Sequence, residues 1–549
     1  MATMADPQHA LKTSGDSDPV WIHKEPYSNR PGFSKLTEDL QTDVCVIGSG
    51  IAGISTAYEL VTRGVKVVMI EARDVISGES GRTSGHLSSA LDAPYSEIAS
   101  KHSHSRAQAA VDSHAWALKR VGEISRQLGI ECEYRTLPDY EISQYERGNP
   151  EHDAEMKMLQ EDVQNAKEFG LPARYEEGYA IKGWDGRPDQ RDAAIFQDQA
   201  TFHPTQYMVG VLKWLSTQEN FRCYTQTRMI SIEEKGGLLS SKVVHVSTLD
   251  GQTITCQDAV EATCIPLQKL SIVAQLEYYR TYCIAIRVPR GSIEDCLIND
   301  QAEAYKYIRF TACDAEDDYL VIGGCDHKVG QEGDEESRYA ELERWVRQRF
   351  PQATSVDYRW SGQILNSADL VSFIGVNQGK SHTYIVTGDT GHGLTQGVLA
   401  GKLLADEIQG VENPWAKLYN PKRIPPVSTL PSMLAHDVQI NAQYKRFLQS
   451  DVADIEDLAP GSGGVIHPTT STPVAVYKDA EGAVHRFSAL CPHLQGVVCW
   501  NAAEKSWDCP VHGSRFSKDG VQVMGPAKAG LTPADASGEG PQKTAVAAG

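Results

Sequence analysis

The order of apolar and polar positions predicts a βαβ unit that begins near residue 43. Residues 43–47 form a short apolar run typical of a buried strand, and residues 54–63 place apolar side chains at helical spacing. Gly64 ends that helix, and residues 65–70 form a second apolar run that leads into Glu71. A strand, a helix and a second strand in this order indicate an α/β domain.

Beyond this unit, helical and strand-like stretches alternate along the chain. Apolar residues recur at helical spacing in several stretches, namely 105–129, 151–169, 396–409 and 436–449. Two strand-rich stretches, 131–147 and 276–323, predict a second, sheet-rich layer inserted into the first domain, and a further short strand is predicted at 384–387. Between about 456 and 530 the chain contains short strands and turns, which predicts a small β domain.

These patterns predict two structured parts. The first is an α/β, Rossmann-like domain with an inserted mixed-sheet (α+β) domain, and the second is a small all-β domain. The predicted units are a flexible N-terminal tail at 1–37, a first domain at 38–425, a linker at 426–455, a second domain at 456–532 and a disordered tail at 533–549. The inserted domain is placed mainly at 131–205 and 265–350.

The glycine-rich turn of the βαβ unit predicts a dinucleotide site. Gly48, Gly50 and Gly53 form G-x-G-x-x-G between the first strand and the helix. The first glycine permits a tight turn, the second lets a pyrophosphate approach the backbone, and the third lets the helix pack against the strand. Glu71, at the end of the second strand, is placed to accept a hydrogen bond from a ribose hydroxyl. The alternative to a dinucleotide site is that these glycines serve only the tight turn.

Later segments of the chain extend this prediction. They are residues 80–87, 196–204, 360–362 and 388–395. In composition and order they resemble the D-amino-acid-oxidase (DAO) family of FAD-dependent oxidoreductases, and the resemblance runs from about residue 40 to 425. The first segment is similar to that family's stretch along the pyrophosphate, and the last two are similar to its second flavin-contacting loop. A plain NAD dehydrogenase has no use for the late glycine loop.

The resemblance implies a bound FAD. Neither His86 nor His392 matches an attachment site for the flavin, so the FAD is expected to be noncovalent. The residues that the resemblance places against FAD are Gly48, Ser49, Gly50, Ile51, Ala52, Gly53, Glu71, Ala72, Arg73, Ser80, Gly81, Arg82, Thr83, Ser84, His86, Leu87, Met229, Gly362, Gly388, Asp389, Gly391, His392, Gly393, Leu394 and Thr395.

Four side chains are candidates for a direct role in a site of this kind. The resemblance places His86 and His392 near the flavin, although loop histidines are often satisfied by backbone groups alone. Amine-oxidising members of the family bind a substrate carboxylate with an arginine from the inserted sheet, and Arg309 is the candidate here. Lys328 is a second candidate for binding the carboxylate. The alternative for Arg309 and Lys328 is a charged side chain that lies at the surface in contact with solvent.

The C-terminal region carries two pairs of metal-ligand residues. Cys491 and His493 form one pair, and Cys509 and His512 form the other. A Rieske 2Fe–2S centre needs two thiolates on one iron and two imidazoles on the other, which this arrangement supplies. Zinc is the competing interpretation, but its usual spacings pair Cys with Cys and His with His. Residues 512–527 also resemble the loops of the Rieske fold, so one 2Fe–2S cluster is expected.

Departures from the high-potential Rieske proteins of respiratory complexes predict a lower potential. Those proteins carry a disulfide between the two ligand loops, but Gly496 and Val511 stand at the corresponding positions here. They also donate hydroxyl hydrogen bonds to the cluster from a serine and a tyrosine. Ser514 is present, but Phe516 replaces the tyrosine. Because fewer donors reach the sulfurs, we expect a potential in the low-to-middle part of the Rieske range.

Composition and charge exclude several classes of partner. The 549 residues include 72 acidic and 52 basic side chains, and the net charge of −20 disfavours nucleic acids and anionic lipids. No apolar run approaches the roughly 18–20 residues of a membrane-spanning helix, and the N-terminus has no apolar signal core. The twelve cysteines show no disulfide-like framework. A cytoplasmic protein of more than one domain is therefore expected.

Together the two sites predict an amine or amino/imino-acid oxidoreductase with a one-electron outlet. A small-molecule amine or amino acid would lose hydride to FAD, and electrons would pass to the Rieske cluster and on to a redox partner protein. Both histidine ligands are expected at the exposed edge of the cluster, from which electrons leave. Two alternatives stay open. One is a flavin monooxygenase fed with electrons through the cluster, and the other is an electron-transfer protein with a structural or docking cluster.

Overall fold

The computed structural model describes residues 8–534 except 92, 190–191, 237–241, 268–270, 301–304 and 467–471. The tail predicted beyond residue 534 therefore lies outside the described residues. The described α-helices are α1 (His9–Lys12), α2 (Ile51–Val61), α3 (Tyr95–Lys101), α4 (His104–Leu128), α5 (Pro150–Glu168), α6 (Pro204–Leu215), α7 (Glu335–Arg349), α8 (Gly393–Ile408), α9 (Ala416–Tyr419) and α10 (Leu430–Ala442). None of these helices combines the length and the apolar character needed to span a bilayer.

The strands of the described residues form five sheets. They are β1 (Leu40–Gln41), β2 (Val44–Ile47), β3 (Val67–Ile70), β4 (His86–Leu87), β5 (Arg135–Ile142), β6 (Ala173–Glu177), β7 (Asp192–Thr201), β8 (Phe221–Tyr224), β9 (Met229–Lys235), β10 (Val243–Thr248), β11 (Thr253–Cys256), β12 (Asp258–Glu261), β13 (Leu276–Pro289), β14 (Leu297–Asp300), β15 (Lys306–Ala312), β16 (Asp317–Lys328), β17 (Val356–Ser367), β18 (Phe373–Val376), β19 (Thr383–Thr387), β20 (Ser462–Ile466), β21 (Val474–Lys478), β22 (Val484–Ser488), β23 (Cys499–Asn501), β24 (Ser506–Asp508), β25 (Arg515–Ser517) and β26 (Gln522–Met524).

The predicted βαβ unit is confirmed as the centre of a six-stranded sheet with the order β18-β19-β12-β2-β3-β8. Its strands pair in parallel except β18 with β19, and β2 and β3 are buried throughout because both faces of the sheet are covered. Gly397 and Gly401 let α8 approach α2, since a Cβ at either position would lie within 2.6 Å of an α2 atom. The N-termini of α2 and α8 therefore lie at the same edge of the sheet.

The predicted inserted layer is confirmed as a mixed sheet with the order β17-β13-β16-β15-β14-β5-β7-β4, in which β6 also pairs with β7. Its pairs are antiparallel except the parallel pair of β14 and β5. Strand β17 lies past the predicted boundary at residue 350, because it follows α7 and returns to pair with β13. A further four-stranded sheet, β1-β11-β10-β9, adjoins the first domain.

The C-terminal β domain consists of a three-stranded sheet, β20-β21-β22, and a four-stranded sheet, β23-β24-β25-β26. Its core contains Trp507, Phe516 and Val497 together with the two cysteines of the ligand loops. The linker predicted at 426–455 does more than connect the two domains. It contains α10, and Ile440 in that helix joins the same core.

The expectation of a flexible tail is wrong for residues 8–37. Trp21 is fully buried, and its Nε1–H donates to the carbonyl of Thr83 at 2.7 Å. The Ser17 hydroxyl donates to the Glu504 carboxylate at 2.8 Å, so this segment contacts both domains. The polar composition of the segment predicted a solvated tail, whereas its polar groups in fact pair with buried groups at the domain junction.

Candidate active site and metal centre

The turn between β2 and α2 forms a cradle that only glycine fits. Gly48 has a φ of +106°, and a Cβ there would lie 2.4 Å from the carbonyl oxygen of Ala262. A Cβ at Gly53 would lie 1.9 Å from the carbonyl oxygen of Gly48. At the start of α2 the Ile51 N–H donates to the Ser80 hydroxyl at 3.0 Å. The helix terminus thus presents N–H groups to oxygen atoms, as a phosphate site requires.

A cavity of about 510 Å³ extends from this cradle to the inserted sheet. All the residues predicted to contact FAD line it except Gly53, Gly81, Leu87 and Thr395. Gly81 serves close packing instead, because a Cβ there would lie 2.5 Å from the carbonyl oxygen of Ile76. Leu87 is fully buried in the core. The cavity therefore joins segments that are far apart in the chain, in agreement with their predicted common role.

Glu71 holds the glycine-rich turn in place. One carboxylate oxygen accepts hydrogen bonds from the N–H and the hydroxyl of Ser49, at 3.0 and 2.8 Å. The other accepts from the Arg73 N–H at 3.1 Å. Arg73 in turn donates from its guanidinium to the carbonyls of Ala10 and Thr13. The predicted ribose contact thus also organises the turn that faces the cavity.

The loop before α8 brings two titratable groups to the other end of the cavity. His392 lines the cavity, and its ring stands edge-on to that of His114 with centroids 6.0 Å apart. Burial lowers the pKa of His114 to about 3, and its Nδ1 lies 2.8 Å from the Thr395 hydroxyl. Burial also raises the pKa of Asp389 to about 6, and this carboxylate accepts the Leu365 N–H at 2.9 Å. The neutral His114 of α4 and the Asp389 carboxyl group, which titrates near physiological pH, therefore both lie beside the α8 terminus.

A row of paired residues across the inserted sheet forms the opposite wall of the cavity. Glu141 pairs with Asn299, and Asn299 pairs with Tyr307, so the three side chains share one face of the sheet. All three line the cavity. The Tyr307 ring lies over Gly323, where a Cβ would be 2.2 Å from the ring, and its hydroxyl is 2.8 Å from that of Thr281. This wall offers polar side chains and an aromatic ring to a substrate.

His86 lies beside this wall, as predicted for a residue near the flavin. Its ring stands perpendicular to that of Tyr307 with centroids 5.2 Å apart. Its Nδ1 is 3.1 Å from the Ser84 hydroxyl, and its Nε2 is 3.1 Å from the Ile308 carbonyl oxygen. Because a carbonyl only accepts, Nε2 carries a proton in this arrangement. Both ring nitrogens are thus engaged, which favours a positioning role over proton transfer.

Arg309 does not fit the predicted role of carboxylate binder. Its guanidinium is fully buried and donates to the carbonyls of Gly85, Phe202 and Phe310. Burial lowers its pKa to about 9. Neither Arg309 nor Lys328, the second candidate, is among the described residues that line the cavity. The side chain of Arg309 instead secures the backbone behind the cavity.

The four predicted cluster ligands, Cys491, His493, Cys509 and His512, lie together on two loops. The two histidine rings stand 5.0 Å apart between centroids, at 80° to each other. His512 Nδ1 is buried with no hydrogen-bond partner among the described residues, as a ring nitrogen reserved for iron would be. Burial lowers the pKa of His512 to about 3, which keeps the neutral form that binds metal.

The pairing of ligand types in the two loops suits a binuclear centre. In a Rieske cluster one iron takes two thiolates and the other takes two imidazoles, and each loop here carries one cysteine and one histidine. The expectation that both histidines lie at an exposed edge is wrong for His512, which is 6% exposed, whereas His493 is half-buried.

The predicted absence of an inter-loop disulfide is confirmed. A Cβ at Gly496 would lie 2.4 Å from Val511 Cγ2 and 3.2 Å from Cys509 Sγ, so the two positions meet without cysteines. None of the twelve cysteines forms a disulfide. The Ser514 hydroxyl accepts the Ala527 N–H at 3.0 Å, which leaves its own hydrogen for another acceptor, and Phe516 is fully buried.

A buried cluster of opposite charges joins the two domains. Arg82 donates to Glu504 at 2.5 Å with both side chains fully buried, and Arg280 lies 3.6 Å from the same oxygen. Arg515 pairs with Asp508 at 3.0 Å. Burial alone would raise the pKa of Glu504, but Arg82, Arg280 and Arg515 together lower it to about 2. These charges compensate one another and fix the second domain against the first.

The C-terminal domain also supplies part of the cavity wall. Residues 522–525 line the same cavity as the glycine cradle. Arg228 of the first domain donates to the Gln522 carbonyl at 3.1 Å. Gln363 of the first domain donates from Nε2 to the carbonyl of Gly513, the residue after a cluster ligand, at 3.0 Å. The two predicted sites therefore lie on either side of one interface.

Two family models match the chain in the order that these sites suggest. The model described as FAD dependent oxidoreductase (DAO) matches residues 43–407, and the model described as Rieske [2Fe-2S] domain matches residues 450–534. The chain belongs to the DAO family of FAD-dependent oxidoreductases. It carries a Rieske domain after the DAO domain, and the matched Rieske range begins slightly before the predicted boundary at residue 456.

Known relatives share this arrangement in whole or in part. The Bacillus subtilis (strain 168) protein YhfW, named as a Rieske 2Fe-2S iron-sulfur protein, is 27% identical over 506 residues, which are 90% of this chain and 94% of its own. Gamma-glutamylputrescine oxidoreductase of Escherichia coli (strain K12) is 23% identical over 390 residues, 69% of this chain and 86% of its own. The solved L-amino acid deaminase from Proteus vulgaris shares the fold, with a TM-score of 0.55, 20% identity, and 72% of this chain and 100% of that chain covered.

The DAO domain implies FAD and the Rieske domain implies a 2Fe–2S cluster, and the residues present fit both groups. The glycine cradle at the α2 terminus suits a pyrophosphate, and the unpartnered His512 nitrogen suits iron. Sequence reasoning missed Gln363, Glu141, Asn299 and Glu504. The sequence contained one indication for Gln363, because it follows Gly362, which was already predicted to contact the flavin. The others depend on strand register and domain contact, which a single sequence does not show.

Proposed function

We propose that this protein oxidises a small-molecule amine or amino acid at its C–N bond and delivers the electrons through the Rieske domain to an external one-electron acceptor protein. Cys491, His493, Cys509 and His512 hold the cluster in this proposal, and the cavity holds noncovalent FAD. When bound, FAD supplies a hydride acceptor for the carbon next to nitrogen, and the cluster supplies a one-electron carrier. The substrate loses two electrons and two protons, water hydrolyses the resulting imine, and two acceptor molecules take one electron each.

The observation that carries this proposal is the cavity wall that the two domains share. Residues 522–525 of the Rieske domain line the cavity that begins at the glycine cradle. A cluster that served only to stabilise or dock the protein would have no need to adjoin the flavin cavity. The buried pair of Arg82 and Glu504 keeps the domains in this arrangement. Electrons therefore need no movement of the Rieske domain to pass between the sites.

The two histidine ligands define the ends of the route in this proposal. The ring of His512 faces Tyr278 of the DAO domain, with centroids 6.3 Å apart, and is almost fully buried. His493 is half-buried. Electrons enter on the His512 side, which adjoins the cavity, and leave on the His493 side, where an acceptor protein can approach.

The wall of the inserted sheet supports the proposed substrate class. Glu141, Asn299 and Tyr307 offer acceptors, donors and a ring to a small polar molecule. The names of two similar proteins, gamma-glutamylputrescine oxidoreductase and L-amino acid deaminase, point to the same class. The lack of a disulfide among the twelve cysteines supports a reducing location such as the cytoplasm.

Anaerobic stopped-flow mixing tests the proposal with a panel of primary amines, secondary amines and amino acids. We expect one class to bleach the flavin absorbance, after which the EPR signal of the reduced cluster develops in freeze-quenched samples. Turnover at full rate with an oxidised cluster would contradict electron delivery through the Rieske domain. Flavin reduction only through the cluster, by an added reductase, would replace the proposal with the monooxygenase. Failure of the whole panel to bleach the flavin would favour an electron carrier.

A further inference from the structure

Gln363 lies where the cavity and the Rieske domain meet. It follows the cavity-lining Gly362 in β17, is itself only 2% exposed, and also lines the cavity. Its backbone N–H donates to the Glu79 carboxylate at 2.6 Å. Glu79 precedes Ser80, whose hydroxyl accepts the first N–H of α2. The backbone of Gln363 is therefore held in a fixed position relative to the glycine cradle.

The side chain of Gln363 reaches the loop of a cluster ligand. Its Nε2 donates to the carbonyl of Gly513 at 3.0 Å, and Gly513 is bonded to His512. Gly513 has a φ of +68°, and a Cβ there would lie 2.6 Å from this Nε2 and 2.7 Å from the Tyr278 ring. The loop approaches Gln363 this closely only because it has no side chain at this point.

The other end of the amide is available to a bound group. Gln363 Oε1 is buried and accepts no hydrogen bond from any residue that the structure describes. A buried carbonyl oxygen without a donor is unfavourable, so such atoms mark places where a ligand or ordered water donates. A reduced flavin ring carries one more N–H donor than the oxidised ring. A contact from this donor to Oε1 would therefore favour the reduced flavin.

We propose that Gln363 is the coupling residue between the two redox sites. Its Oε1 accepts a hydrogen bond from the flavin bound in the cavity, and its Nε2 holds the loop of His512. The residue makes and breaks no covalent bond, so its role is to position the two groups and to provide a short hydrogen-bonded route between them. The direction of electron flow rests on the proposed function, whereas the bridge itself does not.

Light-driven reduction of the loaded enzyme tests this bridge without any substrate. A flash with 5-deazariboflavin as photoreductant reduces the flavin, and the transfer to the cluster is followed by absorbance. The variants are Gln363→Leu and Gln363→Met. Methionine has a flexible side chain of similar volume, and it serves as the second variant if leucine impairs cofactor loading. The matched control is Gln331→Leu, because Gln331 Nε2 also donates to the same ligand loop, at Pro510, but does not line the cavity.

The bridge predicts two results that a structural role would not give. The Gln363 variants should slow the transfer about tenfold, and the flavin midpoint potential should fall by about 30 mV, the equivalent of a tenfold change for a two-electron couple. The cluster EPR signal should not change. The Gln331 control should keep the transfer rate within about twofold of wild type.

Several results would overturn the proposal. They are wild-type transfer in a fully loaded Gln363 variant, an unchanged flavin potential, or equal slowing in the Gln331 control. Failure of the amine panel would leave these measurements intact, because the flash needs no substrate. The bridge and the proposed reaction can therefore fail separately.

Discussion

The two loops that we propose as cluster ligands have different surroundings. The His512 loop packs against Gln363 and Tyr278 of the DAO domain, and its ligand ring is almost fully buried. The His493 loop meets the linker, where the Tyr444 hydroxyl donates to a loop carbonyl at 2.9 Å, and its ligand ring stays half-buried. The proposed cluster site thus has an inner side, where Gln363 joins the His512 loop to the cavity wall, and a less buried outer side at His493.

The inner side is also where charges are buried in compensating pairs. Arg82 and Arg280 both approach the Glu504 carboxylate, and Arg515 pairs with Asp508 nearby. Removal of one member leaves its partners buried and uncompensated, which is far more destabilising than the loss of a surface pair. The comparison of inner and outer sides therefore makes predictions about stability as well as electron transfer.

The largest expected effect is that of Glu504→Gln. Because two arginines lose their buried counter-charge, we expect the free energy of unfolding to fall by about 3–5 kcal/mol near pH 7. Thermal and urea unfolding measure this loss. Glu481→Gln on an exposed hairpin of the same domain is the control, and it should change stability by less than about 0.5 kcal/mol. Equal effects of the two substitutions would contradict the proposed weight of the buried charge cluster.

The contribution of Glu504 to the free energy of unfolding should decrease at low pH. Its pKa is about 2 in the folded protein, below the ordinary glutamate value, so its contribution to stability is present at neutral pH. That contribution is lost as the pH falls from about 4.5 toward 2, because only the unfolded chain takes up the proton at first. The Glu504→Gln variant should therefore lose less stability than wild type over this range.

Glu335→Gln should increase the free energy of unfolding, by less than Glu504→Gln decreases it. Glu335 begins α7, is 4% exposed, and its carboxylate contacts the Ala502 backbone of the Rieske domain. Burial raises its pKa to about 7, so the folded state carries an unfavourable buried charge at higher pH. Stability should fall as the pH rises from about 4.5 to 7, and glutamine removes this fall.

Urea unfolding at two pH values measures the effect of Glu335→Gln. We expect the variant to be more stable than wild type by about 1–2 kcal/mol at pH 8 and equal to it at pH 4.5. Glu336→Gln, one residue further along α7 and exposed, is the matched control. A variant less stable than wild type at pH 8 would show that the Glu335 carboxylate is needed in its charged form.

Much of the fold, and most of the residues that line the cavity beside the glycine cradle, could be predicted from the sequence because their patterns are local. The glycines from Gly48 to Gly53 lie within six consecutive residues, and each predicted ligand pair, such as Cys491 and His493, lies within one short segment. Arg309 was interpreted wrongly because its residue type suited a carboxylate, whereas the fold uses it to bind backbone carbonyls. Trp21 was missed because its burial depends on packing against the inserted sheet, which is distant in the chain.

Phe516→Tyr tests whether hydrogen bonds donated to the cluster set its midpoint potential. Phe516 is fully buried in the position where high-potential Rieske proteins carry a tyrosine donor. A new hydroxyl bond to the cluster would stabilise the reduced form, and the midpoint potential should rise by up to about 60 mV, a tenfold change for one electron. An EPR-monitored redox titration measures it. Ser514→Ala should lower the potential, and a rise there would contradict the argument.

The smallest expected effect is a salt dependence that should differ between the two sides. The net charge of −20 attracts a cationic acceptor to the outer side, and salt screens this attraction. The rate at which hexaammineruthenium(III) reoxidises the cluster should fall about fivefold between 10 and 500 mM salt, whereas the rate with the anionic acceptor ferricyanide should rise. Light-driven transfer from flavin to cluster should stay constant, because the inner contacts are buried. If that internal rate fell with salt as well, the domains would have to separate during turnover, and the fixed inner side would be wrong.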